Sequence, residues 1–224
     1  MQSFGNKFYA TFLLDNRYTY FLTGLKNTLL LTFASFLLGA AFGVLLCAAQ
    51  RSANAALRKI AQVVSYILVE IPTLVMLMVF VYIIFGHSAL PVVVIVAIGL
   101  TLKAGAYLSA IFRAALDTVN PGELEAARTL GMSRWRAFRY VELPQAARAA
   151  LPLCKNQFIS TMQETSVVGY LAIMDLTRAS SVVSSRTMDS LFGLLAVTAA
   201  YFVIGAVVKS LMGSLVRKGG GVAA

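Results

Sequence analysis

The chain has 224 residues, of which 59% are hydrophobic and only 12% charged, with a mean hydropathy of +0.79. An ordinary soluble domain is about 25% charged, so a soluble globular protein is set aside in favour of a polytopic, all-α membrane protein. The net charge of +10 is no argument for a nucleic-acid partner, because the cytoplasmic loops of membrane proteins collect Lys and Arg.

Residues 1–26 lack a basic start followed by an apolar segment and a small-residue cleavage site, so no signal peptide is expected. Phe4, Phe8 and Phe12 recur at i, i+4 and i+8, a spacing that fits a short helix on the membrane surface. This predicts a periplasmic or interfacial N-terminal segment. Residues 28–49 are uncharged and long enough to cross a core of ~30 Å. They contain Gly39 and Gly43 in a GxxxG pattern, which lets a neighbouring helix come close. A second span is expected at 60–85, with Glu70 and Pro72 inside it, and a loop carrying His87 follows. A third reaches from about 90 to 112 and contains Lys103. A fourth, at 145–169, is polar for a membrane element and contains Pro152. A fifth covers the uncharged residues 191–208. Pro72 and Pro152 each remove a backbone hydrogen bond and predict bends. Together these make a transmembrane domain over 27–212, with a charged loop at about 118–144. The tail, 213–224, ends in a glycine run and is expected to be flexible.

Cys47 and Cys154 have no CxxC or His partner, so they are read as structural thiols and no metal site is expected. Five spans put the termini on opposite sides. The loops on one side hold twelve of the nineteen Lys and Arg residues and those on the other hold five, with Lys103 and Lys155 inside spans. The richer side is the cytoplasmic one. The N-terminus is therefore expected outside, with the C-terminus and the charged loop inside.

That loop reads as two short helices. Asn120-Pro121-Gly122 is a turn, and Pro121 and Glu123 suit a first helical turn. Gly131 interrupts, and Ser133 can cap a second helix from Arg134 to about Val141, where Leu143-Pro144 should end it. Ala126, Ala127 and Gly131 would make a patch almost without side chains, flanked by Arg134, Trp135, Arg136 and Arg139. An amphipathic helix at the interface and a docking site fit this equally well.

The order Glu125-Ala126-Ala127, three residues, Gly131, nine residues, Val141, one residue, Leu143-Pro144 resembles the EAA loop of permease subunits of bacterial ABC importers. Only Val141 departs, where that family usually has isoleucine. The resemblance implies a type I ABC importer permease fold, with a coupling helix that docks into an ATP-binding subunit. It assigns Glu125, Ala126, Ala127, Gly131, Arg134, Leu143 and Pro144 to that docking. Further stretches from about Leu25 to Val208, among them "AYLSAIFR" and "LPQAARAALPLCKNQFI", look like the polar amino-acid branch. Three departures stand out. Glu70-Ile71-Pro72-Thr73 occupies the place of Arg-Gly-Thr-Pro, Ala110 that of a glutamate, and Gln163-Glu164-Thr165-Ser166 that of Lys-Asp-Thr-Ser. The resemblance further implies two permease subunits, identical or homologous, a pair of ATPases that bind ATP and Mg, and a solute-binding protein outside. The setting would be the bacterial cytoplasmic (inner) membrane.

A charge near the bilayer centre costs at least ~2.5 kcal/mol. Glu70 and Glu164 should therefore face a cavity or a cation. Asn156, Ser160, Gln163 and Glu164 form one helical stripe, with Ser166 at its edge. Two readings stand: a polar wall of the translocation path, or a structural network pairing Glu70 or Glu164 with Lys103 or Lys155. Two acids where the family places bases favour a cationic or neutral amino acid over an acidic one. The chain has no GxxxxGK[ST] segment and no catalytic set, so it is read as no enzyme, with no cofactor of its own. An ion-coupled secondary carrier is the alternative, but it should show an internal repeat, and none is visible. A membrane scaffold would leave the polar fourth span unexplained.

Overall fold

Lipid offers no partner to backbone N–H and C=O groups, so a chain that crosses it closes its hydrogen bonds within helices. The computed structural model describes residues 4–219. Helices and short turns make up that stretch, and no strand occurs among the described residues.

The N-terminal segment is short and irregular: α1 (Phe4–Phe8) runs into a π turn at Tyr9–Leu13 and a 3-10 turn at Leu14–Asn16. Asp15 and Asn16 both have φ +53°, the left-handed region these two residue types tolerate best. The buried Arg17 steadies the bend by donating to the Ala10 carbonyl at 2.7 Å and to Asp15 Oδ2 at 3.2 Å. Phe12 packs between Phe8 and Phe21, at 4.9 and 5.4 Å between centroids. Lys7 pairs with Asp189 at 2.7 Å and holds that carboxyl below the ordinary carboxylate range.

α2 (Tyr18–Gln50) has 33 residues, about 50 Å of helix, and begins inside the segment expected to precede the membrane domain. α3 (Ala55–Glu70) is capped by Asn54, whose side chain accepts from Ala56 and Leu57 N–H. It stops where Pro72 forces Ile71 into extended backbone (φ −73°, ψ 129°). α4 (Thr73–Met78) then leads into a π turn at Val79–Ile84. The expected second span is thus broken, with 109° between its halves. α5 (Val92–Asp117) lies centrally and packs on α2, α3 and α8. The charged loop forms α6 (Pro121–Thr129) and α7 (Arg134–Ala137). α8 (Leu143–Glu164) follows and contains Pro152.

α9 (Leu176–Thr187) is a helix where only a loop was expected. Asp175 caps it, accepting from Thr177 and Arg178 N–H at 3.0 and 2.8 Å. Its buried positions, Leu176, Ala179, Ser180 and Val183, follow helical spacing, but two of the four are small. α10 (Leu191–Gly219) continues past residue 213, where the flexible tail was expected to begin. Residues 220–224 of that tail lie outside the described residues. α2, α5 and α10 are long and apolar enough to cross a membrane unbroken. Two bent pairs, the broken span and the run Arg134–Leu171 with α9, raise the count to five if each is one crossing.

The tightest packing is between α2 and α5. A Cβ on Gly39 would come within 3.1 Å of the Thr101 carbonyl oxygen, and one on Gly43 within 2.9 Å of that of Gly105. A Cβ on Gly105 would meet the Gly39 carbonyl oxygen at 2.8 Å. The two backbones touch, as the GxxxG pattern predicts. Around this contact Leu31, Leu77, Val96, Leu100 and Val168 form the buried core. Ala115, Ala146 and Ala150 let α8 lie close against α5.

Gly105→Val is expected to push α2 from α5 and destabilise the protein by about 1–3 kcal/mol. Thermal unfolding in detergent measures this. Gly205→Val, where an added Cβ meets nothing within 4 Å, should leave the midpoint near that of the wild type.

Candidate functional site

The loop between α5 and α8 is a built structure. The Asn120 side chain accepts from Gly122 N–H at 2.9 Å and starts α6. Its far end closes in a Schellman motif. Met132 N–H bonds the Ala127 carbonyl at 3.1 Å, Gly131 N–H bonds that of Arg128 at 3.0 Å, and Gly131 takes φ +86°. An added Cβ at Gly131 meets nothing within 4 Å. Glycine is needed there for its backbone freedom. Ser133 then caps α7, accepting from Arg136 N–H.

Two sequence expectations change here. Leu143-Pro144 does not end the second helix. α7 passes through a π turn at Phe138–Glu142 straight into α8, and Leu143 N–H bonds the Phe138 carbonyl five residues back. That wider turn accommodates the proline ring, which would otherwise crowd the preceding turn. Second, the bare patch is not all on the outside. Ala127 is buried, at 5% exposure, on the side that packs against the π turn. Glu125, Ala126, Gly131, Arg134, Leu143 and Pro144 are exposed. Beside them Leu130 and Trp135 stand 83% and 65% exposed, and Trp135 stacks on Phe138 at 5.5 Å. Leu130 was not singled out from the sequence. Its position one residue before the left-handed glycine is the signal that marks it.

Between the loop and the bundle lies a cavity of about 640 Å³, whose wall includes Arg51, Arg128, Arg134 and Glu142. Gln145 Nε2 donates to Glu123 Oε2 and ties α6 to α8. Both free thiols, Cys47 and Cys154, line a separate apolar groove between α2, α5 and α8.

The second group of residues gathers around the break in the second span. Lys103, 3% exposed, donates its ammonium to the Ile71 carbonyl. This satisfies an acceptor that the Pro72 break leaves free and places a cation at the end of α3. Lys103 interacts electrostatically with Glu164, and Tyr107 lies within electrostatic reach of both Glu164 and Glu70. Glu70 is exposed and Glu164 half-buried. Glu164 Oε2 is buried with no hydrogen-bond partner. The structure thus brings Glu70, Lys103, Tyr107 and Glu164 together from α3, α5 and α8. On α8, Asn156 and Gln163 are exposed, Ser160 is half-buried, and Ser166 is half-buried in the 3-10 turn that follows. Amides on the outer face of a membrane helix have no partner in lipid, so this face requires a water-filled space or another chain. Lys103 is held by a backbone carbonyl, and among the described residues no ion pair joins it to Glu70 or Glu164. The unpartnered Glu164 oxygen leaves room for a ligand.

Comparison with known proteins finds a family model that covers most of the chain. The model of the binding-protein-dependent transport system inner membrane component matches residues 35–219. The chain is 31% identical over 176 residues to the probable amino-acid ABC transporter permease protein YckA of Bacillus subtilis (strain 168), covering 77% of this chain and 76% of that protein. It is 30% identical over 209 residues to the glutamate/aspartate import permease protein GltK of Escherichia coli O157:H7, covering 89% and 93%. A match at 41% identity to the probable amino-acid permease protein YxeN of Bacillus subtilis (strain 168) spans 107 residues, about half (48%) of each chain. Among solved structures, an amino acid ABC transporter crystallised with histidines superposes with a TM-score of 0.85 at 31% identity, covering 92% of this chain and 98% of that one. The MetNI methionine ABC transporter, at 21% identity and a TM-score of 0.73, shares the fold.

Gly131→Ala forces an alanine into the left-handed region, at a cost of about 1–2 kcal/mol. Hydrogen exchange of the Met132 amide, the outer bond of the Schellman motif, is expected to speed up about tenfold. Gly131→Asn should show a smaller effect, because asparagine tolerates this conformation.

Proposed function

The chain belongs to the family of binding-protein-dependent transport system inner membrane components, and we propose that it forms half the translocation path of an amino-acid importer driven through the α6–α7 loop. It is the permease component of an amino-acid ABC importer and not itself an enzyme. Such permeases work with ATPase subunits and a substrate-binding protein. The observation that carries the finer reading is the exposed helix–glycine–helix projection, held rigid at its base and continuous with α8. A partner that grips Ala126, Leu130 and Gly131 displaces α8 with them.

In this reading two ATPases, each binding ATP and Mg, engage one loop per permease. The second permease is an identical or homologous chain, and it covers the polar face of α8. The N-terminus lies outside and the loop in the cytoplasm, as the distribution of Lys and Arg supports. Closure of the ATPases rocks the spans between outward and inward openings. The solute-binding protein delivers the substrate from outside.

The substrate is a polar amino acid, with cationic or neutral ones favoured over acidic. GltK is named for acidic substrates, so this preference rests on Glu70 and Glu164 and not on that relative. The open Glu164 oxygen accepts a hydrogen bond from an ammonium or guanidinium, and a substrate carboxylate near the two glutamates meets repulsion.

Two experiments test this. The first is co-purification from detergent. An ATPase subunit should accompany the wild-type chain and be lost with Gly131→Arg, which crowds the docking surface. Wild-type uptake that runs on an ion gradient with no ATPase bound would instead identify a secondary carrier. The second is transport competition in the reconstituted complex with arginine, lysine, glutamine and glutamate. Glu164→Gln should cut the advantage of the cationic competitors by about tenfold, the loss of one charge-assisted contact. An unchanged competition profile removes Glu164 from substrate recognition.

A further inference from the structure

Arg51 follows the last turn of α2 and was not among the residues assigned to docking or to the path. Its N–H closes that turn on the Cys47 and Ala48 carbonyls at 3.1 and 3.2 Å. Its guanidinium divides between two other elements. Nη1 donates to Asp117 Oδ1 at 2.8 Å, and Nη2 donates to Glu142 Oε1 at 3.1 Å. Asp117 is the last residue of α5, and Glu142 is the last residue of the π turn that carries α7 into α8. One side chain therefore joins the ends of two spans to the exit of the loop.

The two arms differ in strength. The Asp117 side chain is 62% exposed and that of Glu142 only 10%. Water weakens the first pair. The second carboxylate has given up most of its hydration and depends on its partner. Arg128 and Arg134 line the same cavity wall as Glu142, but the ion pair recorded for Glu142 is with Arg51. A planar fork reaches two carboxylates at once, which a single ammonium cannot do in the same geometry.

The contact has mechanical meaning because of what lies behind it. α2 and α5 touch through backbone at Gly39, Gly43 and Gly105, so they move as one body. α8 receives any displacement of the loop directly, through the continuous helix from Arg134 onward. α5 meets the other end of the loop through residues 118–120 and packs on α8 at Ala115, Ala146 and Ala150, whereas α2 reaches the loop exit through Arg51. We infer that Arg51 is a positioning residue of the coupling step, passing displacement of the α6–α7 loop to the α2–α5 pair through Glu142. This rests on the loop being the site of ATPase docking.

The test is a ratio in the complete reconstituted complex: amino acid taken up per ATP hydrolysed. The substrate is a mixture of radiolabelled arginine, histidine, glutamine and glutamate. Arg51→Gln should retain its ATPase subunits, because the docking surface is untouched. The ratio should fall by about threefold or more, as expected for residues coupled in one ion-pair network. Arg51→Lys, which keeps the charge but not the fork, should fall between. Glu142→Gln should reproduce the loss, and the double variant Arg51→Gln/Glu142→Gln should be no worse than the poorer single variant. If Arg51→Gln fails to accumulate, Glu142→Gln decides, since a neutral isostere removes the pair without leaving a buried charge. An unchanged ratio in Arg51→Gln or Glu142→Gln, with only the thermal midpoint lowered, overturns the inference and leaves Arg51 a structural residue. A wild-type chain that purifies with no ATPase overturns the docking reading itself and this inference with it.

Discussion

The close approach of α2 and α5 is the constraint on which the rest depends. In lipid there is little hydrophobic gain from bringing two helices together, so contact relies on van der Waals fit. Gly39, Gly43 and Gly105 supply that fit by leaving out side chains altogether. Once the two backbones touch, α5 becomes the centre of the bundle, with α3 and α8 packed on its other sides. Lys103 is then enclosed within the bundle, and the ends of α2 and α5 come level, within reach of a single arginine.

The polar groups inside the span follow from the same arrangement. Pro72 breaks the second span and frees a carbonyl at Ile71, and Lys103 occupies it. A buried ammonium next to a broken helix also needs negative charge nearby, and Glu164 supplies it from α8. The cluster carries one more carboxylate than cations and is not fully bonded, because one oxygen of Glu164 has no partner. An enclosed carboxylate oxygen costs free energy unless something donates to it. Lys103 holds the break together through the Ile71 carbonyl, and Glu164 keeps an unused acceptor.

Much of this was legible in the residues. Apolar runs of membrane length marked the unbroken spans, two of them uncharged and the third interrupted by Lys103, because a helix in lipid must be predominantly apolar. Gly131 marked the turn of the loop, because the left-handed residue at a helix end is usually glycine. Other features were hidden for physical reasons. α9 is amphipathic over small and hydroxyl-bearing residues, so its buried stripe lacks the bulk that betrays a helix. Pro144 looked like a stop, and only a preceding π turn lets the helix pass. Ala127 looked like part of an outer surface, since the sequence does not say which side of a short helix meets the bundle.

By itself the sequence determined the class of the protein, the number of apolar runs, the position of the charged loop and the need for glycine at its centre. These are local consequences of hydropathy, charge and backbone conformation. Only the tertiary structure decided which charges meet. Arg51, Asp117 and Glu142 are far apart along the chain, as are Glu70, Lys103 and Glu164. No local pattern links them, because an ion pair across helices depends on how those helices pack, and here that is set by backbone contact at three glycines.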